Sequence, residues 1–524
     1  AHESEQDEPS TLKQALGSDA AESWKAAMAE EFDSLNRNNT YSVVDLPDGK
    51  KPLSTRWVFK IKEDSDQPKR YKARLVVRGC AQTAGIDYEE TFSPVVRYTS
   101  LRYLLSLAAK MDLDVDHMDV KTAFLYGELK EEIFVKPPPN LVEPGNENKV
   151  WKLHKAVYGL KQAGRVWCEK ITSVLESFGL HRSKADPCIF YRNSDDKLIV
   201  VALWVDDVII FSNDESWKSQ IKLDLEKHFE MKDLGGISKC LGMNIIRNRD
   251  KGELYIDQSD YILQVLKKFR MDDAKPVKTP MEVDVKPLIV EDKEKQPFSK
   301  TVPYQEVIGC LLYLSQISRP DIIYAVNTLS RFNKNFQSQH WHAAKRVLRY
   351  LKGSVNMRLC YSKNSSGDLQ VFSDSDWGNL INNRYSVSGS CIKFNGGLIS
   401  WASKKQRTIA LSTVEAEYMA LSFNVQEIIW LRSLIKEIYP KSVLEPTIVY
   451  CDNMGSINLS KNDIVSQKSK HINLRYHFLK EHVKNGDVII KYLPTDDMLA
   501  DVLTKPLALP KFVKFTNEFG LIEK

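Results

Sequence analysis

The sequence predicts an α/β (α+β) multidomain protein, and three observations carry that reading. The chain has 524 residues, more than one hydrophobic core sustains, so three or four compact units are expected. Apolar, β-branched runs that end in an acid alternate with amphipathic helical stretches. Two such sets are separated by a polar linker interrupted at Pro276, Pro280 and Pro287.

Composition is that of folded protein: 43% hydrophobic, 27% charged and 10% aromatic. No run approaches the roughly 18 apolar residues that span a bilayer, so no membrane partner is expected. The N-terminus, Ala1-His2-Glu3-Ser4-Glu5-Gln6-Asp7-Glu8, is acidic and does not begin with Met. It is no signal peptide, and reads as a cut end of a longer precursor or an arbitrary boundary. Eight cysteines, Cys80, Cys168, Cys188, Cys240, Cys310, Cys360, Cys391 and Cys451, form no CxxC pair. They read as reduced thiols of an intracellular protein rather than a disulfide or zinc framework. The net charge of +5 is modest, but basic residues crowd Lys50 to Arg78 and Lys345 to Lys352, the kind of patch that meets phosphate.

Residues 1–20 are polar and expected to be loose. Trp24, Ala27, Met28, Glu31 and Leu35 recur at helical spacing from Ala21. Tyr41–Leu46 and Trp57–Lys62 are strand-like. In Arg70–Arg78 the period of two puts Lys72, Arg74, Val76 and Arg78 on one face, a basic strand face that can grip phosphates. A helix over Tyr98–Met111 has Thr99 and Ser100 as capping candidates and Leu101, Leu104, Leu105 and Ala108 as its buried stripe. The strand Leu113–Asp119 ends in an acid, with the aromatic Phe124 shortly after it. Tyr158-Gly159-Leu160-Lys161-Gln162-Ala163-Gly164 is a Gly-flanked loop entering a helix. Cys188–Tyr191 is a strand. Ala202–Val205 and Val208–Phe211 then read as a hairpin with Asp206 and Asp207 in its tight turn. Adjacent carboxylates repel, and a divalent cation is their natural partner. Taken alone such a pair is a solvated turn; its ordered companions argue otherwise.

Helices follow at Tyr261–Phe269 and Tyr304–Ser315. A third is striped by Trp341, Ala344, Leu348 and Leu351 and closed by Gly353. Its other face carries Lys345, Arg346, Arg349 and Lys352, which could track a duplex backbone. From Leu369 a second set begins. A strand ends at Asp374, strands recur at Ser388–Phe394 and Leu398–Trp401, and a helix runs from Thr413 to about Ile438. Another strand ends at Asp452, and Asp501 lies near the C-terminus.

The acid at Asp119, the loop around Gln162 and the acidic hairpin resemble the ordered motifs of a reverse transcriptase. The wording is nearest to Ty1/copia LTR retrotransposons in three stretches: Arg70–Gly79, Asp87–Arg97 and Met118–Leu125. The resemblance implies a right-hand polymerase with fingers, palm and thumb, a connection, and a C-terminal RNase H-like domain. Its expected divisions are a flexible 1–20, fingers and palm over 21–245, thumb over 246–300, connection over 301–365 and RNase H over 366–524. It implies Asp119, Asp206 and Asp207 as polymerase metal ligands and Phe124 as a gate against a ribose 2′-hydroxyl. Gln162 would line the nucleotide pocket, and Lys72 and Arg74 would face the phosphates. Asp233–Gly236 and Cys240–Ile245 resemble the turn and primer-gripping hairpin. Trp204 stands where Tyr is commoner and Gly164 where Pro is common, departures that bear on rate and fidelity more than reaction type.

In the second set, Asp374, Glu417, Asp452 and Asp501 match the RNase H acids, with Asp376 and Glu415 as near alternatives and His471 and His477 in the region of the family's product-release histidine. Each site would hold two Mg²⁺, with Mn²⁺ as a substitute, about 4 Å apart. The implied partners are an RNA template, a DNA primer, dNTPs and the RNA/DNA hybrid, and a homodimer is compatible with the family. No aspartic-protease triplet, CCHC knuckle or integrase zinc arrangement occurs, so those Pol products are expected upstream in the precursor. The implied setting is a cytoplasmic virus-like particle, with nuclear entry to follow. The alternative is a decayed or domesticated copy that binds nucleic acid without chemistry; lost carboxylates would mark it, and all seven are present.

Overall fold

In the computed structural model every residue from Ser100 to Ala109 is buried, within the helix Tyr98–Met111. The model describes residues 8–62, 69–142, 144–194, 196–285, 288, 302–378, 385–440, 445–461 and 473–523. Pro287 of the linker and His471 lie outside them.

A helix buried all round must be covered on every side. On one side lies an antiparallel sheet in the order Met231–Gly236, Asp114–Val120, Asp207–Ser212, Lys197–Trp204, Ile189–Ser194, His181–Arg182. This sheet stands where the palm is expected, and its central strands are apolar on both faces because the helices Tyr98–Met111 and Ala163–Ser177 share its core. The capping candidates Thr99 and Ser100 lie inside the helix. Asp186, distant in sequence, takes the capping role, accepting from the Arg97 N–H at 3.1 Å and the Ser100 hydroxyl at 2.6 Å.

In the part expected to form the fingers, Thr55–Lys62 and Arg70–Val77 pair antiparallel and lie on the helix Ala21–Arg37. Ala73, Leu75 and Val77 are buried against it, which turns the alternate basic residues away. The expected loose segment 1–20 is ordered in part: Leu12–Leu16 is a helix whose Ala15 is fully buried. A three-stranded sheet, Tyr41–Val44, Val150–Lys155, Glu128–Val135, stands beside this pair.

A five-stranded sheet joins distant parts of the chain: Lys239–Cys240, Met243–Asn248, Glu253–Asp257, Met357–Ser362 and Leu521–Glu523. The expected palm–thumb boundary at 245/246 therefore falls inside a strand, and the last strand of the chain belongs to this sheet rather than to the RNase H sheet. The boundary at 365/366 falls in a loop. The helix Ser338–Lys352 ends at Gly353 as expected, but its basic face is partly spent. Arg346 bonds Glu282 at 2.9 Å and Thr279 at 3.0 Å, and Arg349 bonds the Lys275 carbonyl at 2.6 Å. These two guanidiniums hold the linker down instead of facing a duplex.

The last sheet runs Gly397–Lys405, Val387–Phe394, Gln370–Asp376, Thr447–Cys451, Val488–Tyr492, with the last two joins parallel. The helix Thr413–Ile438 packs across Gln370–Asp376, giving the RNase H-like layer. Val488–Tyr492 was not anticipated from the sequence; its Lys491 and Tyr492 obscure a short alternation.

Candidate active sites

Lys197–Trp204 and Asp207–Ser212 form the anticipated hairpin, with Trp204 directly opposite Asp207. The turn is thus Val205-Asp206, and Asp207 opens the second strand. Val205 has φ of 55°, the place where such a turn favours Gly. The turn is held by its surroundings: the Trp167 indole donates to the Val205 carbonyl at 2.7 Å, and the Val120 N–H to the Asp206 carbonyl at 2.9 Å. On the neighbouring strand Asp119 stands opposite Asp207. Burial, then the charges of Asp207 and Asp119, push the Asp206 carboxyl above its ordinary value, with Arg74 opposing. Mutually repelling carboxylates of this kind fit a divalent cation. Asp207 is already engaged, its Oδ1 lying 2.7 Å from Nε2 of the buried His117. Among the described residues Asp119, Asp206 and Asp207 do not form a group of ligand atoms within 4.8 Å.

Arg74, one of the two residues expected to face phosphates, reaches this site through an aromatic bridge. Arg74 lies over the Tyr158 ring at 4.7 Å, and Phe124 meets the same ring edge-on at 4.9 Å. Two glycines permit this. A Cβ on Gly159, whose φ is 92°, would meet the Val77 carbonyl oxygen at 2.1 Å. A Cβ on Gly79 would come equally close to the Gly159 oxygen. Burial raises the Tyr158 phenol to about 12. Lys72 shares the face of Arg74, half-buried.

Gln162 has a different position from the one expected. It is 1% exposed, with its amide oxygen accepting from Gln82 at 3.0 Å and its amide nitrogen donating to the Asp87 carbonyl at 2.8 Å. Its side chain is committed to bracing the 82–87 loop. At Gly164 an added Cβ would stand 3.1 Å from Ser93, so the missing Pro leaves room for the Ser93 side chain. Trp204 packs at 5.2 Å against Tyr98.

The second cluster is tighter. Gln370–Asp376 and Thr447–Cys451 are parallel, with Ser373 beside Cys451, so Asp374 and Asp452 are the next residues along the two chains, where their pairing ends. Asp501, in the short helix Leu499–Leu503, completes a group with them whose carboxylate oxygens lie within 4.8 Å. Glu417 joins Asp452 and Cys451 in a second such group. Asp374 is 2% exposed, and burial, with Asp501 and Asp452, pushes its carboxyl to about 7 against the pull of Lys505 and Thr504. Burial, then the charges of Asp374 and Asp452, raise Glu417 well above its usual range. Its Oε1 accepts from the Ser375 N–H at 2.9 Å, while Oε2 is buried without a hydrogen-bond donor. The orphaned oxygen and the carboxylate set fit hard divalent cations. The two near alternatives stand outside these groups: Glu415 accepts from the Leu411 N–H at 2.8 Å at the helix start, and Asp376 lies two residues further along the strand. His477 is exposed on the helix Asn473–Lys484.

Several contributors carry no strong sequence signal. Lys505 lies 2.8 Å from Asp501 and 3.8 Å from Asp374, and Lys511 lies 3.0 Å from Asp501. Thr504 donates to Asp374, and Thr495 donates to Asp452 at 2.7 Å. Their roles come from folding alone; Tyr158, beside a glycine in a loop, was the one that its setting could have flagged.

Residues 38–283 match the family model described as reverse transcriptase (RNA-dependent DNA polymerase). A putative transposon Ty5-1 protein of Saccharomyces cerevisiae is 35% identical over 313 residues, 59% of this chain and 100% of that protein. The chain belongs to the retrotransposon Pol family of reverse transcriptases. The retrovirus-related Pol polyprotein from transposon TNT 1-94 of Nicotiana tabacum is 42% identical over 513 residues, 96% of this chain. The chain spans 38% of that polyprotein's length. The solved foamy viral protease-reverse transcriptase, in complex with ds DNA, aligns over 90% of this Pol region and 70% of its own chain, at 12% identity and a TM-score of 0.49.

Proposed function

We propose that this Pol region is an RNA- and DNA-directed DNA polymerase with ribonuclease H activity, copying retrotransposon RNA into DNA and degrading the RNA strand of the hybrid. The observation that carries the reading is the convergence of Asp374, Asp452 and Asp501 at one point, separate from a hairpin that sets Asp206 beside the Asp119–Asp207 strand pair.

In the first site, Asp119 and Asp206 would hold Mg²⁺ and Asp207 would complete the acidic surround. In the second, Asp374, Glu417, Asp452 and Asp501 would do so. When bound, two ions supply an activated oxygen nucleophile and stabilisation of the leaving oxygen. The chain's own residues do the rest. Arg74, braced on Tyr158, and Lys72 present positive charge to the triphosphate of an incoming dNTP. Phe124 closes the floor of the sugar site and would clash with a 2′-hydroxyl. In the second site Lys505 and Thr504 favour the charged, ligating form of Asp374 and offset part of the cost of its burial. The duplex of primer and RNA template would pass from the hairpin to the second cluster along the five-stranded sheet. A polyprotein precursor supplied with integrase and protease upstream, a homodimeric assembly and a cytoplasmic virus-like particle with nuclear entry fit the same reading.

Incubating the chain with a labelled DNA primer on an RNA template, dNTPs and Mg²⁺ tests it. Primer extension with shortening of the template is expected. A duplex that is bound but neither extended nor cut would favour a domesticated nucleic-acid-binding protein.

A further inference from the structure

Beside the RNase H carboxylates lies a donor of another kind. Cys451 ends the strand Thr447–Cys451 and is fully buried. Its Sγ, a Glu417 carboxylate oxygen and an Asp452 carboxylate oxygen all lie within 4.8 Å of one another. This group shares Asp452 with the all-carboxylate group but is otherwise distinct from it. A second observation points to a ligand. Glu417 is 5% exposed and its buried Oε2 meets no donor, a costly condition that a cation relieves. The thiol is held only loosely: the Asn453 N–H lies 3.4 Å and the Asn453 carbonyl 3.9 Å from Sγ.

Mg²⁺ takes oxygen ligands, whereas Zn²⁺ and softer ions gain from thiolate sulfur. We propose that Glu417, Cys451 and Asp452 form a site for a thiophilic divalent cation, Zn²⁺ or Cd²⁺, which takes Glu417 and Asp452 away from Mg²⁺ and halts RNA cleavage while polymerisation continues. On binding, the Cys451 thiol releases one proton to solvent and its sulfur coordinates the ion as thiolate, with no change of oxidation state. The inhibition rests on the RNase H reading; the binding does not.

The test titrates Cd²⁺ into the full chain and into Cys451→Ser and Cys451→Ala, following the ultraviolet cadmium–thiolate charge-transfer absorption. Primer extension by each sample reports its folding. The unmodified chain is expected to show a thiolate band that both variants lack, above the background of the other cysteines. In the unmodified chain low Cd²⁺ is expected to stop RNA cleavage but not extension, and in the variants the halving concentration rises by about tenfold or more. Identical absorption in all three chains overturns the site. A Cys451-dependent band with cleavage indifferent to Cd²⁺ overturns the competition with Mg²⁺. A chain that cleaves no RNA in Mg²⁺ alone contradicts the RNase H reading, and the absorption difference still decides the site.

Discussion

Asp374 has burial and two neighbouring carboxylates against its charge, and Lys505 and Thr504 in favour of it; the former win. Its folded-state value of about 7 lies above the ordinary carboxylate value, so the folded protein holds a proton that the unfolded chain has lost. Stability from this group is therefore full in acid and is lost as pH rises toward about 7. Asp374→Asn removes that cost: a higher melting temperature than the unmodified chain is expected near pH 8 without Mg²⁺, with the gain shrinking near pH 5 and RNA cleavage abolished. Thermal melts at the two pH values check it. Because a proton and Mg²⁺ compete for Asp374, the Mg²⁺ needed for half-maximal cleavage should rise by up to about tenfold per pH unit below about 7; cleavage rates across a Mg²⁺ series measure this. The acids themselves were legible in the sequence because each closes an apolar strand or sits in family wording. His117, Thr504 and Lys505 were not, since their meaning lies in distances to residues far along the chain. Gln162 was expected at the nucleotide pocket from the resemblance alone, and its bonds to Gln82 and Asp87 could not be read before the chain was folded.

Among the elements, the Val205-Asp206 turn concentrates strain at the polymerase site. A β-branched residue at φ of 55° costs about 1–3 kcal/mol and persists only where neighbours over-determine it, as Trp167 and Val120 do here. Val205→Asn, which tolerates that backbone, is expected to raise stability by about 0.5–1 kcal/mol and to slow extension as the acids lose their fixed setting. Urea denaturation and steady-state extension test the two halves; a destabilised variant would show that the Val side chain packs usefully. The hairpin and most strands were readable from alternation. The helix Tyr98–Met111 was readable only in part. Its stripe of Leu101, Leu104, Leu105 and Ala108 points to one partner, yet Arg102 and Ser106 on the other face are buried too. Polar residues read as solvent-facing until the carbonyls that receive them are in place.

On the scale of the molecule, those carbonyls belong to the connection and RNase H parts. The Arg102 guanidinium donates to the Ile399 carbonyl at 2.8 Å and to Gln316 and Ile317 at 2.9 and 3.0 Å, lying 3.9 Å over Trp401. Burial lowers it to about 10. Asn395 bonds the Ser106 carbonyl at 2.9 Å, and the Trp430 indole bonds that of Ala185 at 2.7 Å. With the strand Leu521–Glu523 closing the five-stranded sheet, the two candidate sites ride on one frame. Arg102→Ala should cost about 3 kcal/mol or more, because it leaves buried carbonyls without donors, and chemical denaturation measures it. A sequence divided at 245/246 and 365/366 suggests separable parts; the sheet that draws strands from three of them appears only once the chain is folded. The central claim is that this frame holds two independent metal-dependent sites. It is tested most directly by following both strands of a primed RNA template in Mg²⁺ with Asp206→Asn and Asp452→Asn. The account predicts that Asp206→Asn abolishes extension and spares RNA cleavage, and that Asp452→Asn does the reverse. Loss of both activities in either variant, or of neither in both, would contradict it.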